Sequence, residues 1–357
     1  EALDELSTRY GMEVDAPVLI EVFPRHDDFA VRNLGLPGMI GALGACFGRV
    51  VTMDSPRARP PGDFNWQSTL WHEIAHVITL QMSGNRLPRW LSEGISTYEE
   101  KRKRSEWGRD QVLSFARALN DEAILPLREL NSGFSRPETI SMSYFQASVL
   151  VEHIVNDYGE PALQTLVRAY GDGLDTEEAL ALIGLTFDTL QASFDAAVQS
   201  EFGDLRQTLS APQVDLPEVD TDDRLDALGS LAVSYPDSYP IQFSYGLALQ
   251  ASGELAAALQ VLERAANLAP QATGIDSPRA VMAEIAQELG DEERAMRELE
   301  RLLEFDATSI EAVRELAALA EDAGDRDRMA MAYERVIGID PFDPIPHEAL
   351  GRMALEA

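Results

Sequence analysis

Apolar and polar positions alternate with a strand period near the start of the chain and with a helical period over most of the rest. Residues 17–23, "PVLIEVF", are rich in β-formers and predict a strand. "HDDFAVRNLG" predicts a short helix stopped by Gly35, and "GLPGMIGALGA" a glycine-rich loop. "CFGRVVTM" predicts a second strand, ended by "DSPRARPPG". The spacing then becomes helical. Asp63 is the expected N-cap of a helix from Phe64 to Met82, and Gly84 its stop. Pro88 opens the next helix, "PRWLSEGISTYEEKRKR". Further helices are expected over 109–119, 142–158, 160–170, 175–184 and 187–202. Residues 205–222 hold two prolines and no period, which predicts a linker.

Beyond residue 222 the pattern repeats. "YGLALQASGELAAALQVLERAANLAP", "MAEIAQELGDEERAMRELERLLEFDA" and "LAALAEDAGDRDRMAMAYERVIGIDP" share one register. Each has a small residue at the first-helix packing position: Gly246, Ala283 and Ala317. Each turns at a glycine: Gly253, Gly290 and Gly324, spaced 37 and 34 residues apart. Pro270 and Pro341 close two of the units, and Ala307 stands there in the middle one. A period near 34 with this pattern resembles the tetratricopeptide repeat. Ala258 and Ala295 match its second-helix alanine, whereas Met329 departs from it. Gly351 stands where a fourth unit would place its small residue. The expected fold class is therefore α+β, mostly helical: a first domain over 1–204 with a small N-terminal sheet, a linker over 205–222, and an α-solenoid of tetratricopeptide-like repeats over 223–357.

Composition narrows this picture. A length of 357 residues predicts two domains or three, and 45 % apolar residues suffice for their cores. No run of 18 apolar residues occurs, so no membrane span is expected. The chain starts at Glu1, with no basic-then-apolar leader, and the compartment stays open. Net charge is −32, which argues against nucleic acid and anionic lipid as partners. Residues 201–357 hold 32 acids against 12 arginines, a net of −20, leaving −12 for the rest. Only Lys101 and Lys103 are lysines, a bias that fits a GC-rich genome or a salt-adapted source. The single cysteine, Cys46, excludes an internal disulfide and is compatible with any compartment.

Two of the five histidines lie four apart in "TLWHEIAHVITL". Positions i and i+4 share one helix face, so His72 and His76 can aim both imidazoles at one point about 2 Å from each, the Zn–N distance. Glu73 lies about 100° round the helix, where it flanks a metal and can take a proton from water. A hydrolytic zinc needs three protein ligands and an open position. Glu93 lies 17 residues past His76, beyond a glycine turn and a proline-started helix, so a helical hairpin can return it to the histidines. It interrupts the apolar stripe of Trp90, Leu91 and Ile95, where a lone carboxylate needs a partner.

"HEIAH" and "WLSEGISTY" together resemble the gluzincin zinc peptidases, and over residues 15–200 the aminopeptidase N-like group and the bacterial peptidase MA-like domains. Some of the latter are fused to tetratricopeptide repeats. The resemblance implies Zn2+ held by His72, His76 and Glu93, with Glu73 as base. "SMSYFQASVLVEHIVNDYG", 141–159, resembles the family's later helix. It implies that Tyr144 donates its hydroxyl to the developing oxyanion. The aminopeptidase-like members carry a glycine-methionine-glutamate-asparagine strand whose glutamate holds the substrate amine. Here "GALGACFGRVVTM", 41–53, has no acid before Asp54, so an endopeptidase is expected over an aminopeptidase. The strand could still pair with a substrate backbone.

Weaker features keep plain readings. Cys46 is expected to be a small buried residue on that strand, with zinc binding the alternative. His26, His153 and His347 are expected to be structural. "KRKR", 101–104, is a helix end favoured by the dipole, or a docking spot for the acidic repeats. Either Glu99 or Glu100 could orient a metal-binding histidine. The expected activity is zinc-dependent hydrolysis of a peptide or protein substrate, with the repeats recruiting substrate or a protein partner. A non-catalytic scaffold is the rival reading, and a non-peptide amide or ester substrate a third.

Overall fold

Helices dominate the computed structural model, which describes residues 1–14, 17–38, 41–109, 111–210 and 222–356. In chain order they begin with α1 (Ala2–Tyr10), β1 (Leu19–Phe23), α2 (His26–Leu34), β2 (Gly44–Cys46), β3 (Val50–Asp54), α3 (Trp66–Met82) and α4 (Arg89–Lys103). There follow α5 (Val112–Asn120), α6 (Leu127–Gly133), α7 (Ile140–Tyr158), α8 (Glu160–Gly171), α9 (Thr176–Leu182) and α10 (Phe187–Leu209). The rest is α11 (Asp222–Ser234), α12 (Tyr239–Ala251), α13 (Leu255–Leu268), α14 (Pro278–Glu288), α15 (Glu292–Leu303), α16 (Ile310–Ala323), α17 (Arg326–Ile339) and α18 (Pro344–Glu356). The chain divides into two compact units. The first holds Glu1–Gln111, Ile124–Gln199 and Gly338–Pro341; the second holds Val112–Ala123, Ser200–Ile337 and Phe342–Ala357.

In the first unit a three-stranded sheet of order β1-β3-β2 lies beside the helices. β1 runs parallel to β3 and β2 antiparallel to it, with Cys46 opposite Val51. The stretch 46–53, expected as one strand, is instead a hairpin. Phe47 N–H donates to Val50 O at 2.8 Å and Gly48 turns the chain at φ 74°, a conformation other residues adopt with difficulty. β2 is thus an edge strand, and it packs on α3. The core beneath joins α3, α4 and α7 through Ile74, Val77, Ile78, Leu91, Ile95, Leu150, Val151 and Ile154, all buried.

Asn65, not Asp63, caps α3: its Oδ1 accepts from Gln67 N at 3.0 Å and Ser68 N at 3.2 Å. Phe64, expected as the first helical residue, is buried ahead of that cap. α4 follows Pro88 as the sequence predicts. α1 and α6, which the apolar pattern did not announce, are held by contacts remote in sequence. Tyr10 Oη donates to Glu99 Oε1 at 2.8 Å, and Leu127 N–H donates to Gln191 Oε1 at 2.7 Å.

In the second unit the three repeat segments each fold as two helices about their glycine, with φ 81° at Gly253, 75° at Gly290 and 69° at Gly324. Gly246 faces Leu262 so closely that a Cβ there would come within 2.6 Å of Leu262 Cδ2. Ala258 and Ala295 are wholly buried, whereas Met329 is half-buried. Residues 112–123 and 200–204, expected in the first domain, cluster here. The Phe115 ring packs edge-on against Phe202 at 5.1 Å, and Arg206 Nη2 donates to Leu119 O at 3.1 Å. The segment expected as linker begins as helix, since α10 continues to Leu209, and residues 211–221 lie outside the described residues.

Candidate metal centre

α3 and α4 form the predicted hairpin, turned at Gly84 with φ 57°. It brings three donor atoms together. His72 Nε2 lies 3.3 Å from Glu93 Oε2, His76 Nε2 3.1 Å from the same oxygen, and the two Nε2 atoms 3.2 Å apart. Tetrahedral zinc with ligands at about 2.0–2.1 Å sets its donor atoms about 3.3–3.4 Å apart. Two imidazoles and a carboxylate at these separations therefore fit zinc in both chemistry and spacing. Among the described residues, His72, His76 and Glu93 are the group of this kind.

The other ring nitrogens are committed elsewhere. His72 Nδ1 donates to Glu100 Oε1 at 2.6 Å, and the second oxygen of Glu100 accepts from Ser68 Oγ. A proton on Nδ1 leaves the Nε2 lone pair free for a metal. His76 Nδ1 lies 3.0 Å from Ser92 Oγ. Glu99 has another task, accepting from Tyr10 and Arg9 of α1. The choice between the two glutamates thus falls on Glu100. Ser92 was not foreseen; its signal was only a hydroxyl residue next to Glu93.

Burial disfavours the His72 imidazolium, yet Glu100 and Glu93 outweigh burial and hold it well above the usual histidine range. Burial likewise opposes ionisation of Glu93, and His76 and His72 hold its carboxyl well below the usual range.

Glu73 is buried beside the histidines and is absent from the metal-holding group. Its Oε2 has no hydrogen-bond partner among the described residues. Burial raises its carboxyl, with the histidines pulling the other way. An unpartnered buried carboxylate oxygen is costly to a fold unless a ligand or water meets it. β2 lies directly over it: a Cβ at Gly44 would overlap Glu73 Oε1. The loop sequence thus needs glycine there for a reason that its neighbours do not reveal.

Tyr144 stands on the first turns of α7, its ring 6.3 Å from His72 and 5.1 Å from Phe134. Gly94 makes this position possible. A Cβ on it would come within 2.7 Å of Ala147 O, so glycine lets α7 close on α4. Arg89 Nη2 donates to Glu93 Oε1 at 2.9 Å and approaches Tyr144 Oη at 3.4 Å. Burial, then the charge of Glu93, pushes the Tyr144 phenol well up, so it stays protonated at neutral pH.

Cys46 is outside the metal-holding group. Its Sγ contacts Gly48 O at 3.7 Å, and burial followed by the charge of Glu73 raises the thiol to about 12. His26 pairs with Asp54 at 2.8 Å, and His153 Nε2 with Ser193 Oγ at 2.9 Å. The basic run is paired within its own unit. Lys101 meets Glu152, Arg102 meets Glu160, and Lys103 meets Glu1 and Glu5.

Residues 60–200 match the family model described as Peptidase MA superfamily. The match supports a peptidase MA-like domain in this part of the chain, and that class suggests metallopeptidase activity on a peptide or protein. No curated protein matches the chain. No solved structure matches it either. Among the described residues no helix is long and apolar enough to cross a membrane.

Proposed function

We propose that the first unit forms a gluzincin-type endopeptidase domain, with zinc held by His72, His76 and Glu93. The observation that carries this reading is the triangle of donor atoms, 3.1–3.3 Å on each side, beside a buried carboxylate whose Oε2 lacks a partner. Zinc bound there would supply Lewis acidity toward a peptide carbonyl and toward water. Glu73 Oε2 takes the proton of the attacking water and passes it to the leaving amine. Tyr144 donates a hydrogen bond from its phenol hydroxyl to the carbonyl oxygen as negative charge develops there. Edge strand β2 offers unpaired backbone groups to an extended substrate. It carries no acid to hold a free amine, which supports internal cleavage over removal of N-terminal residues.

Residues 223–357 act as tetratricopeptide-like repeats that recruit the substrate or a partner protein. The shared register of small residue and glycine turn, with a second-helix alanine in two of the three units, supports this role.

The test is turnover of a denatured protein substrate by wild type and Glu73→Gln, with zinc content measured on both. The expected result is one zinc per chain in each and a loss of about 10²–10⁴-fold in turnover for the variant. Zinc in both with no cleavage by either would favour a scaffold.

A further inference from the structure

Arg89 opens α4 one turn before Glu93, so the two side chains share a helix face. Its Nη2 donates to Glu93 Oε1 at 2.9 Å, while Glu93 Oε2 alone faces the two imidazoles. The same nitrogen lies 3.4 Å from Tyr144 Oη, and the guanidinium sits 5.7 Å from the centre of the Phe134 ring. Phe134 in turn packs on Tyr144. One side chain thus touches the third ligand and the phenol, and rests on the ring that packs against that phenol.

We propose that Arg89 is a positioning residue of the metal centre, holding Glu93 by Oε1 so that Oε2 alone is presented to the ion, and steadying the Tyr144 hydroxyl. The inference rests on the zinc reading above. A carboxylate free to rotate offers either oxygen or both, and a second oxygen on the ion would fill the position that a hydrolytic site keeps open. A charge-assisted bond from Arg89 removes that freedom. Donation to the phenol oxygen leaves the Tyr144 proton uncommitted, since it has no acceptor among the described residues.

A structural role would look different. The Arg89 side chain is 55 % exposed and its pair with Glu93 is an i,i+4 contact, an arrangement that contributes little to folding. The unfolding midpoint of the metal-free chain should therefore barely move on substitution, while metal affinity moves strongly.

The experiment measures zinc affinity by competition with a chromogenic chelator, together with kcat and KM on a peptide, for wild type, Arg89→Ala and Arg89→Lys. The Ala variant is expected to bind zinc about 10-fold or more weakly. Its kcat should fall with KM little changed. The Lys variant, with one mobile charge able to hold one oxygen, is expected to recover most of the zinc affinity but not of kcat. Zinc affinity equal to wild type in Arg89→Ala would overturn the proposal. So would a Lys variant that stays folded yet binds zinc no better than Ala. Wild type that takes up no zinc would instead overturn the zinc reading, and this inference with it.

Discussion

Tyr144, Glu73 and Glu100 each make a separable demand on the chemistry. Tyr144→Phe removes one proton donor and nothing that holds the fold, so kcat should fall about 10²-fold with zinc content intact. Because burial and Glu93 keep the phenol protonated, no basic limb of the rate near neutral pH should belong to Tyr144. For Glu73 the sign is opposite. As the proposed base it must be ionised, and burial raises its carboxyl against the pull of the histidines, so kcat/KM should rise with pH as Glu73 loses its proton. His72 sets the pH dependence of metal binding. Held well above the usual histidine range without metal, it must lose a proton when zinc arrives, so affinity should weaken on acidification. Calorimetric titrations in buffers of different ionisation enthalpy would measure that release. Glu100→Ala should weaken zinc about 10–100-fold by freeing the His72 ring.

At the scale of elements, two glycines let neighbouring elements close on the site. Gly94 lets α7 lie against α4, and a methyl group there would press on the Ala147 backbone, which cannot swing aside. Gly94→Ala should destabilise the chain by about 1–3 kcal/mol, read as a lower thermal midpoint. Gly44 lets edge strand β2 lie on Glu73, and Gly44→Ala should lower turnover far more than stability, because the overlapped atom belongs to the proposed base. Here the limits of sequence reading become physical. The histidine pair was legible because helix geometry fixes i,i+4 neighbours, and Glu93 because a short hairpin connects it to them. The hairpin at Phe47–Arg49 was not, since "CFGRVVTM" satisfies a strand pattern and only Gly48 marks the turn. Asn65 displaced Asp63 as cap because both are good capping residues two positions apart. Gly44, Gly94 and Arg89 gained their meaning from atoms remote in sequence or from the fold around them, which no local pattern announces.

On the scale of the whole molecule, sequence order and structural membership part company. Residues 112–123 lie in sequence between α4 and α6 of the first unit, yet they belong to the second, where Phe115 is wholly buried beside Phe202. A chain ending at Gln199 would keep every proposed ligand and lose that partner. It is expected to expose Phe115 and to be cut by protease within 112–123 faster than the full chain. The helix pairs about Gly253, Gly290 and Gly324, by contrast, were readable because each segment makes the same local demand, a glycine turn between two helices.

X-ray absorption of the zinc-loaded chain tests the central claim most directly, because it reads the ligand atoms themselves. The account predicts one zinc per chain with nitrogen and oxygen neighbours at about 2.0–2.1 Å, two of them imidazoles, and no sulfur. A sulfur neighbour at about 2.3 Å, which only Cys46 or a methionine could supply, or a metal that survives replacement of both His72 and His76, would contradict it.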